Sequence, residues 1–151
     1  MNASTPGHPT EFAQAYLRAW ADGDADAVSQ QFAPDGTYFD PNLPAPLGKG
    51  EIAEFVATLV TAFPDLTFEY DSISSDDNRV IAQWRMKGTH TGPMPGLPEP
   101  TGRTVDLPGV DVITVGPEGI TSSVNYLDRI TFFNQLGLEV QIVPADQTAT
   151  T

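Results

Sequence analysis

Arg79-Val80-Ile81-Ala82-Gln83-Trp84-Arg85-Met86-Lys87-Gly88-Thr89-His90 changes side-chain character at every step. Val80, Ala82, Trp84, Met86, Gly88 and His90 fall on one face, and Ile81, Gln83, Arg85, Lys87 and Thr89 on the other. A period of two with one mainly apolar face predicts a strand lying on a core. Just upstream the period is helical: Ile52, Phe55, Val56, Leu59, Val60 and Phe63 form one broad apolar stripe. The period switches after Pro64, so a helix with a large face to bury precedes a sheet able to receive it.

Working outward, period two continues. Strands are predicted over 66–72, over 103–114 with a bulge at Pro108-Gly109, and over 120–127 after a Gly116-Pro117-Glu118-Gly119 hairpin. On the N-terminal side, Thr10 can cap a helix that aligns Phe12, Tyr16 and Trp20. Asp22-Gly23-Asp24 breaks it and caps a second helix carrying Val28 and Phe32. Pro34-Asp35-Gly36 reads as a turn, 37–40 as a short strand stopped by Pro41, and 41–50 as a loop. A short helix over 129–136 stops at Gly137. The Pro-rich loop 92–103 is placed to fold over an opening. Helices first and antiparallel strands after predict one α+β domain over 10–142, with a disordered leader at 1–9 and a flexible tail at 143–151.

Composition narrows the function classes. Seven basic against twenty acidic side chains give a net charge of −13 over 151 residues. Such a surface repels nucleic-acid backbones and anionic membranes. Hydrophobic residues make up 40% of the chain, enough for a core rather than a disordered acidic segment. The absence of cysteine removes thiolate nucleophiles and thiolate metal sites, and suits a reducing cytoplasm. With two separated histidines and scattered acids, neither a metal nor a cofactor is expected.

Gly88-Thr89-His90-Thr91-Gly92, Pro100-Thr101-Gly102-Arg103, Gly109-Val110-Asp111 and Tyr126-Leu127-Asp128 occur in an order that resembles the SnoaL-like polyketide cyclases, from about Phe12 to Gly137. The order of elements resembles the wider ketosteroid isomerase and nuclear-transport-factor superfamily. That resemblance implies a cone-shaped α+β barrel, a curved, mostly antiparallel sheet wrapped around helices, and a homodimer or higher homo-oligomer. It also implies that Asp128, ahead of Gln135-Leu136-Gly137, is the acid/base group, with His90 assisting at a carbonyl. An apolar hollow would raise the pKa of Asp128. Read from the residues alone, Asp128 equally fits as the N-cap of the helix from Arg129, its oxygen on the Thr131 amide. His90 equally fits as a hydrogen-bonded core residue.

A second set, Tyr16, Asp40 in Phe39-Asp40-Pro41, and Asp111, is similar to the ketosteroid isomerase pattern. There the aspartate before proline is the base, and the tyrosine and a protonated aspartate donate to the dienolate oxygen. The plainer readings are a core tyrosine, a turn aspartate and a strand aspartate paired with Arg85 or Arg103. Trp20, Phe39, Phe55, Leu59, Phe63, Trp84, Met86, Met94, Tyr126 and Phe132 are expected to wall a cavity for a small hydrophobic, carbonyl-containing substrate. The expected activity is cofactor-independent, aldol-type ring closure on a polyketide-like molecule. The alternatives are an isomerase or related hydroxylase/cyclase using Asp40, and a non-catalytic ligand-binding or dimerisation domain.

Overall fold

A computed structural model describes residues 9–146; the expected leader up to residue 8 and the tail from residue 147 lie outside the described residues. The elements follow in the order α1 (Pro9–Asp22), α2 (Ala25–Gln30), β1 (Phe32–Phe39), β2 (Leu47–Gly48), α3 (Lys49–Ala62), β3 (Thr67–Asp76), β4 (Arg79–Thr89), β5 (Thr104–Gly116), β6 (Gly119–Leu127) and α4 (Arg129–Gln135). One six-stranded sheet in the order β2-β1-β6-β5-β4-β3 contains all six of these strands. Only β1 and β6 run parallel; every other pairing is antiparallel.

The alternation quoted above decides which face is inside. Val80, Ala82, Trp84, Met86 and His90 are all buried, and β4 spans the strand read from the sequence. The stripe on α3 buries Ile52 and Val56 completely, each worth about 1.5–3 kcal/mol relative to exposure. One apolar cluster joins α1, α2 and α3 to the sheet through Tyr16, Trp20, Phe32 and Ile113. A second gathers Phe63, Trp84, Leu107, Phe132 and Leu136 beside α4. Gly137 ends α4 with φ +81°, and Leu138 N–H bonds back to Phe133 O at 2.9 Å.

Five local expectations are corrected. Thr10 lies within α1 rather than capping it. Phe32 opens β1 instead of extending α2, and Pro34-Asp35-Gly36 belongs to that strand. There β1 advances from Phe32 to Thr37 while β6 advances only from Ile120 to Ser122; the turn-forming residues are absorbed as a bulge. No bulge occurs at Pro108-Gly109: β4 and β5 pair without a break through Arg85↔Pro108 and Trp84↔Gly109. Pairing with β6 stops at Gly109↔Leu127, so Pro108 has one neighbouring strand and its missing N–H is accommodated. Finally, the loop after Pro41 is shorter than expected, since β2 and the start of α3 lie before residue 50.

Candidate active site

Register assembles the polar residues. Across β4, β5 and β6, Ala82, Asp111 and Asn125 stand in one row. In the parallel pair, Tyr38 is level with Ser123 and Phe39 with Val124. Asp40, just past the end of β1, therefore comes beside Asn125. The result is two carboxyls on three adjacent strands, both facing inward at 3% and 4% exposure.

They line a cavity whose walls carry seven aromatic rings, from Trp20, Tyr38, Phe55, Phe68, Tyr70, Trp84 and Phe132. Leu59, Met86, Met94, Leu107 and Leu127 complete the apolar surface. The cavity volume is about 60 Å³. The cavity is narrow. Trp84 owes its place to Gly109 opposite, where any Cβ would collide with the indole ring.

Each carboxyl has a distinct surrounding. Asp40 accepts hydrogen bonds from the Asn42 amide at 2.7 Å and from the Tyr38 hydroxyl at 3.1 Å. Burial raises its pKa, and those two bonds together with Arg129 act against the rise. Asp111 accepts from Asn125 Nδ2 at 2.7 Å. Burial pushes its pKa up to about 7, with the charge of Asp40 adding to the rise and Trp84 and Asn125 opposing it. The Trp84 indole N–H closes no hydrogen bond, but lies close enough to Asp111 to favour its charged form. Burial also holds the Tyr38 and Tyr70 hydroxyls above the ordinary phenol range, so both remain neutral donors.

Of the expected catalytic residues, Asp40 and Asp111 meet in this cavity. Tyr16 is fully buried behind the wall, its hydroxyl 2.8 Å from Ser123 Oγ. His90 is also fully buried outside the lining. Its Nδ1 accepts from the Thr101 amide at 3.2 Å, while its main chain bonds Gly102 and Arg103. His90 thus fastens the base of the loop that delivers Met94 to the cavity. Asp128 overturns the expectation of a raised pKa: exposed at the mouth of α4, it accepts from Thr131 N at 3.1 Å and Thr131 Oγ1 at 2.8 Å. Those bonds hold its carboxyl below the usual range.

Of the expected wall, Trp20, Phe55, Leu59, Trp84, Met86, Met94 and Phe132 line the cavity, whereas Phe39, Phe63 and Tyr126 do not. Phe39 points to the opposite face from Tyr38 and Asp40. Phe63 is buried against His90 and Phe132. Tyr126 is 60% exposed on the outer face. Tyr38, Tyr70 and Asn125 are site residues the sequence reading passed over. Tyr38 shares strand parity with Asp40, a signal that could have found it. Among the described residues no group of three or more His, Cys, Asp or Glu side chains is arranged to hold a metal ion, and no helix is long and apolar enough to cross a membrane.

The family model for the SnoaL-like domain matches residues 13–122. None of the curated proteins matches the chain. Among solved structures, a candidate SnoaL-like polyketide cyclase from Jannaschia sp. CCS1 is 21% identical, with a TM-score of 0.75, covering 93% of this chain and 100% of that one. A candidate polyketide cyclase from Acidithiobacillus ferrooxidans is 28% identical at a TM-score of 0.70, covering 91% and 98%. A protein of ketosteroid isomerase-like fold from Catenulispora acidiphila, solved with trimethylamine, is 22% identical at a TM-score of 0.70, covering 89% and 98%. The fold is the one these proteins share.

Proposed function

The chain belongs to the SnoaL-like domain family, and from that premise we propose that it is a cofactor-independent acid/base enzyme closing a ring on a flat, polyketide-like ketone. The observation that carries this reading is the pair of buried carboxyls on one apolar wall, Asp40 and Asp111. Asp40 is the base: burial raises its pKa, which makes it a stronger base, while the Asn42 amide, the Tyr38 hydroxyl and Arg129 oppose that rise and favour its charged form. Asp111, with its pKa about 7, is protonated in a large share of molecules at neutral pH, and that form donates a hydrogen bond to the carbonyl oxygen. Asp40 removes the α-proton, the C–H electron pair moves into the enolate, and the oxygen gains its hydrogen bond from Asp111. The enolate carbon then bonds to a second carbonyl carbon in the same molecule, and the proton on Asp40 passes to the new alkoxide.

Returning that proton to the γ-carbon of an unsaturated ketone instead would give a double-bond isomerase. The match of Asp40 and Asp111 to base and donor favours this as the second reading. Product analysis with one diketone and one β,γ-enone separates the two. We also propose a homodimer formed through the outer sheet face, where Ile81 and Tyr126 are 41% and 60% exposed, and a cytoplasmic setting suited to a cysteine-free chain.

Proton abstraction is tested directly by following hydrogen–deuterium exchange at the α-carbon of 1-tetralone by NMR in D2O. Asp40→Asn is expected to lower catalysed exchange by about 10²–10⁴-fold, with unchanged circular dichroism, and Asp128→Asn to leave it intact. Exchange that survives Asp40→Asn refutes the assignment of the base. An absence of exchange in the unmodified protein favours a non-catalytic binding domain.

A further inference from the structure

The same cavity contains polar atoms that the proton-transfer reading does not use. Among the described residues, three buried side-chain atoms have no hydrogen-bond partner: Trp84 Nε1, His90 Nε2 and Asn125 Oδ1. His90 lies off the cavity wall, but Trp84 and Asn125 are on it, at 2% and 8% exposure. An indole N–H only donates, and an amide oxygen only accepts. Burying either without a partner is unfavourable, so such a pair on a cavity wall points to a ligand that supplies what is missing.

Both atoms flank Asp111. The Asn125 NH2 is committed to the Asp111 carboxyl at 2.7 Å, which leaves the amide oxygen as its free end. Trp84 stands diagonal to Asp111 through the pairings Trp84↔Gly109 and Ala82↔Asp111, close enough for its N–H to act on the same carboxyl. We propose that Trp84 and Asn125 form a donor–acceptor pair selecting a neutral, planar ligand that carries a hydroxyl group as well as the reacting ketone. The inference rests on the ketone reading above and narrows its substrate class. The ketone oxygen accepts from Trp84 N–H beside Asp111, and the ligand hydroxyl donates to Asn125 Oδ1.

The rest of the wall agrees. Its narrow, ring-lined space favours a flat molecule. Neither lysine, arginine nor histidine lines it, and two carboxyls do, so phosphates, carboxylates and phenolates are disfavoured. Hydroxyaryl ketones and cyclic enol ketones held in a neutral form fit this description.

The test measures binding by calorimetry for 5-, 6- and 7-hydroxy-1-tetralone, their methyl ethers and 1-tetralone. At least one hydroxy isomer is expected to bind about ten-fold more tightly than both its methyl ether and 1-tetralone, the usual worth of one buried hydrogen bond. Asn125→Leu should bring that ratio close to one, whatever its effect on 1-tetralone itself. Trp84→Phe should weaken every ketone and preserve the hydroxy-to-methoxy ratio. The proposal is overturned if no isomer exceeds its ether in the unmodified protein, or if the preference survives Asn125→Leu. Should that variant fail to fold, the ratios in the unmodified protein decide alone. Repeating the series in Asp40→Asn separates this inference from the proposed catalysis: selectivity without exchange, or exchange without selectivity, identifies which of the two fails.

Discussion

Asp111→Asn should make the protein's stability less sensitive to pH. Burial sets the Asp111 pKa at about 7 against an ordinary value of 3.8. The folded state therefore binds this proton more tightly than the unfolded chain. The stabilisation is fully present below pH 3.8 and is lost as pH rises through about 7. The interval is about 3 pH units, and at about 1.4 kcal/mol per unit the whole effect is about 4 kcal/mol. Between pH 5 and pH 8 the part lost is about 2–3 kcal/mol, since the unfolded carboxyl is already ionised by pH 5 and the first part of the effect has gone by then. An asparagine keeps the shape and can still accept from Asn125 Nδ2, but has no proton to lose. Urea unfolding of both proteins at several pH values cancels the general repulsion of an acidic surface, because the background is common to both. The variant should gain about 2–3 kcal/mol relative to the parent from pH 5 to pH 8. Parallel stability curves would refute the claim that Asp111 is held protonated by burial.

Three further outcomes test the surrounding geometry. Gly109→Ala puts a methyl group into the Trp84 ring, so it should displace the indole, cost about 1–3 kcal/mol of stability by overpacking and weaken ketone binding; unchanged tryptophan fluorescence and melting would contradict that contact. Asp128→Ala removes the α4 cap and should cost about 1 kcal/mol in chemical unfolding while α-proton exchange persists; an exchange loss matching Asp40→Asn would return Asp128 to the chemistry. The paired substitution Ile81→Asp and Tyr126→Asp should convert the proposed dimer to monomer in light scattering, whereas a monomeric parent protein would remove the outer face as an interface.

Much of the fold was legible because hydrophobic period and burial coincide where the interior is apolar. The stripe from Ile52 to Val60 and the alternation from Val80 to His90 both led to the observed elements. Turn chemistry misled at Pro34-Asp35-Gly36, because a strand can absorb such residues in a bulge when a neighbour is there to pair with its flanks. Pro108 misled in the opposite direction, since the ladder on one side of it had already ended.

The site was half legible, and β6 explains the other half. Hydrophobicity alone puts Val124 and Tyr126 inside, and with them Asp128. The strand does the reverse: Ser123 and Asn125 are buried, and Tyr126 is exposed. The polar pair faces inward because each has a buried partner, Tyr16 for Ser123 and Asp111 for Asn125, which offsets the cost of burial. A shift of one residue exchanges the two faces of a strand, so that single step also redistributes the chemistry. With Asn125 inside, the end of β6 leaves Asp128 at the surface, where Thr131 stabilises its charge and makes it a weak base. The inward row instead supports Asp111, whose proton becomes exchangeable near neutral pH, beside Asp40, whose hydrogen bonds favour its anion. In the proposed chemistry, acid and base are thus distinguished by partners rather than residue type, and the inward placement of one asparagine sets the surroundings of the acid.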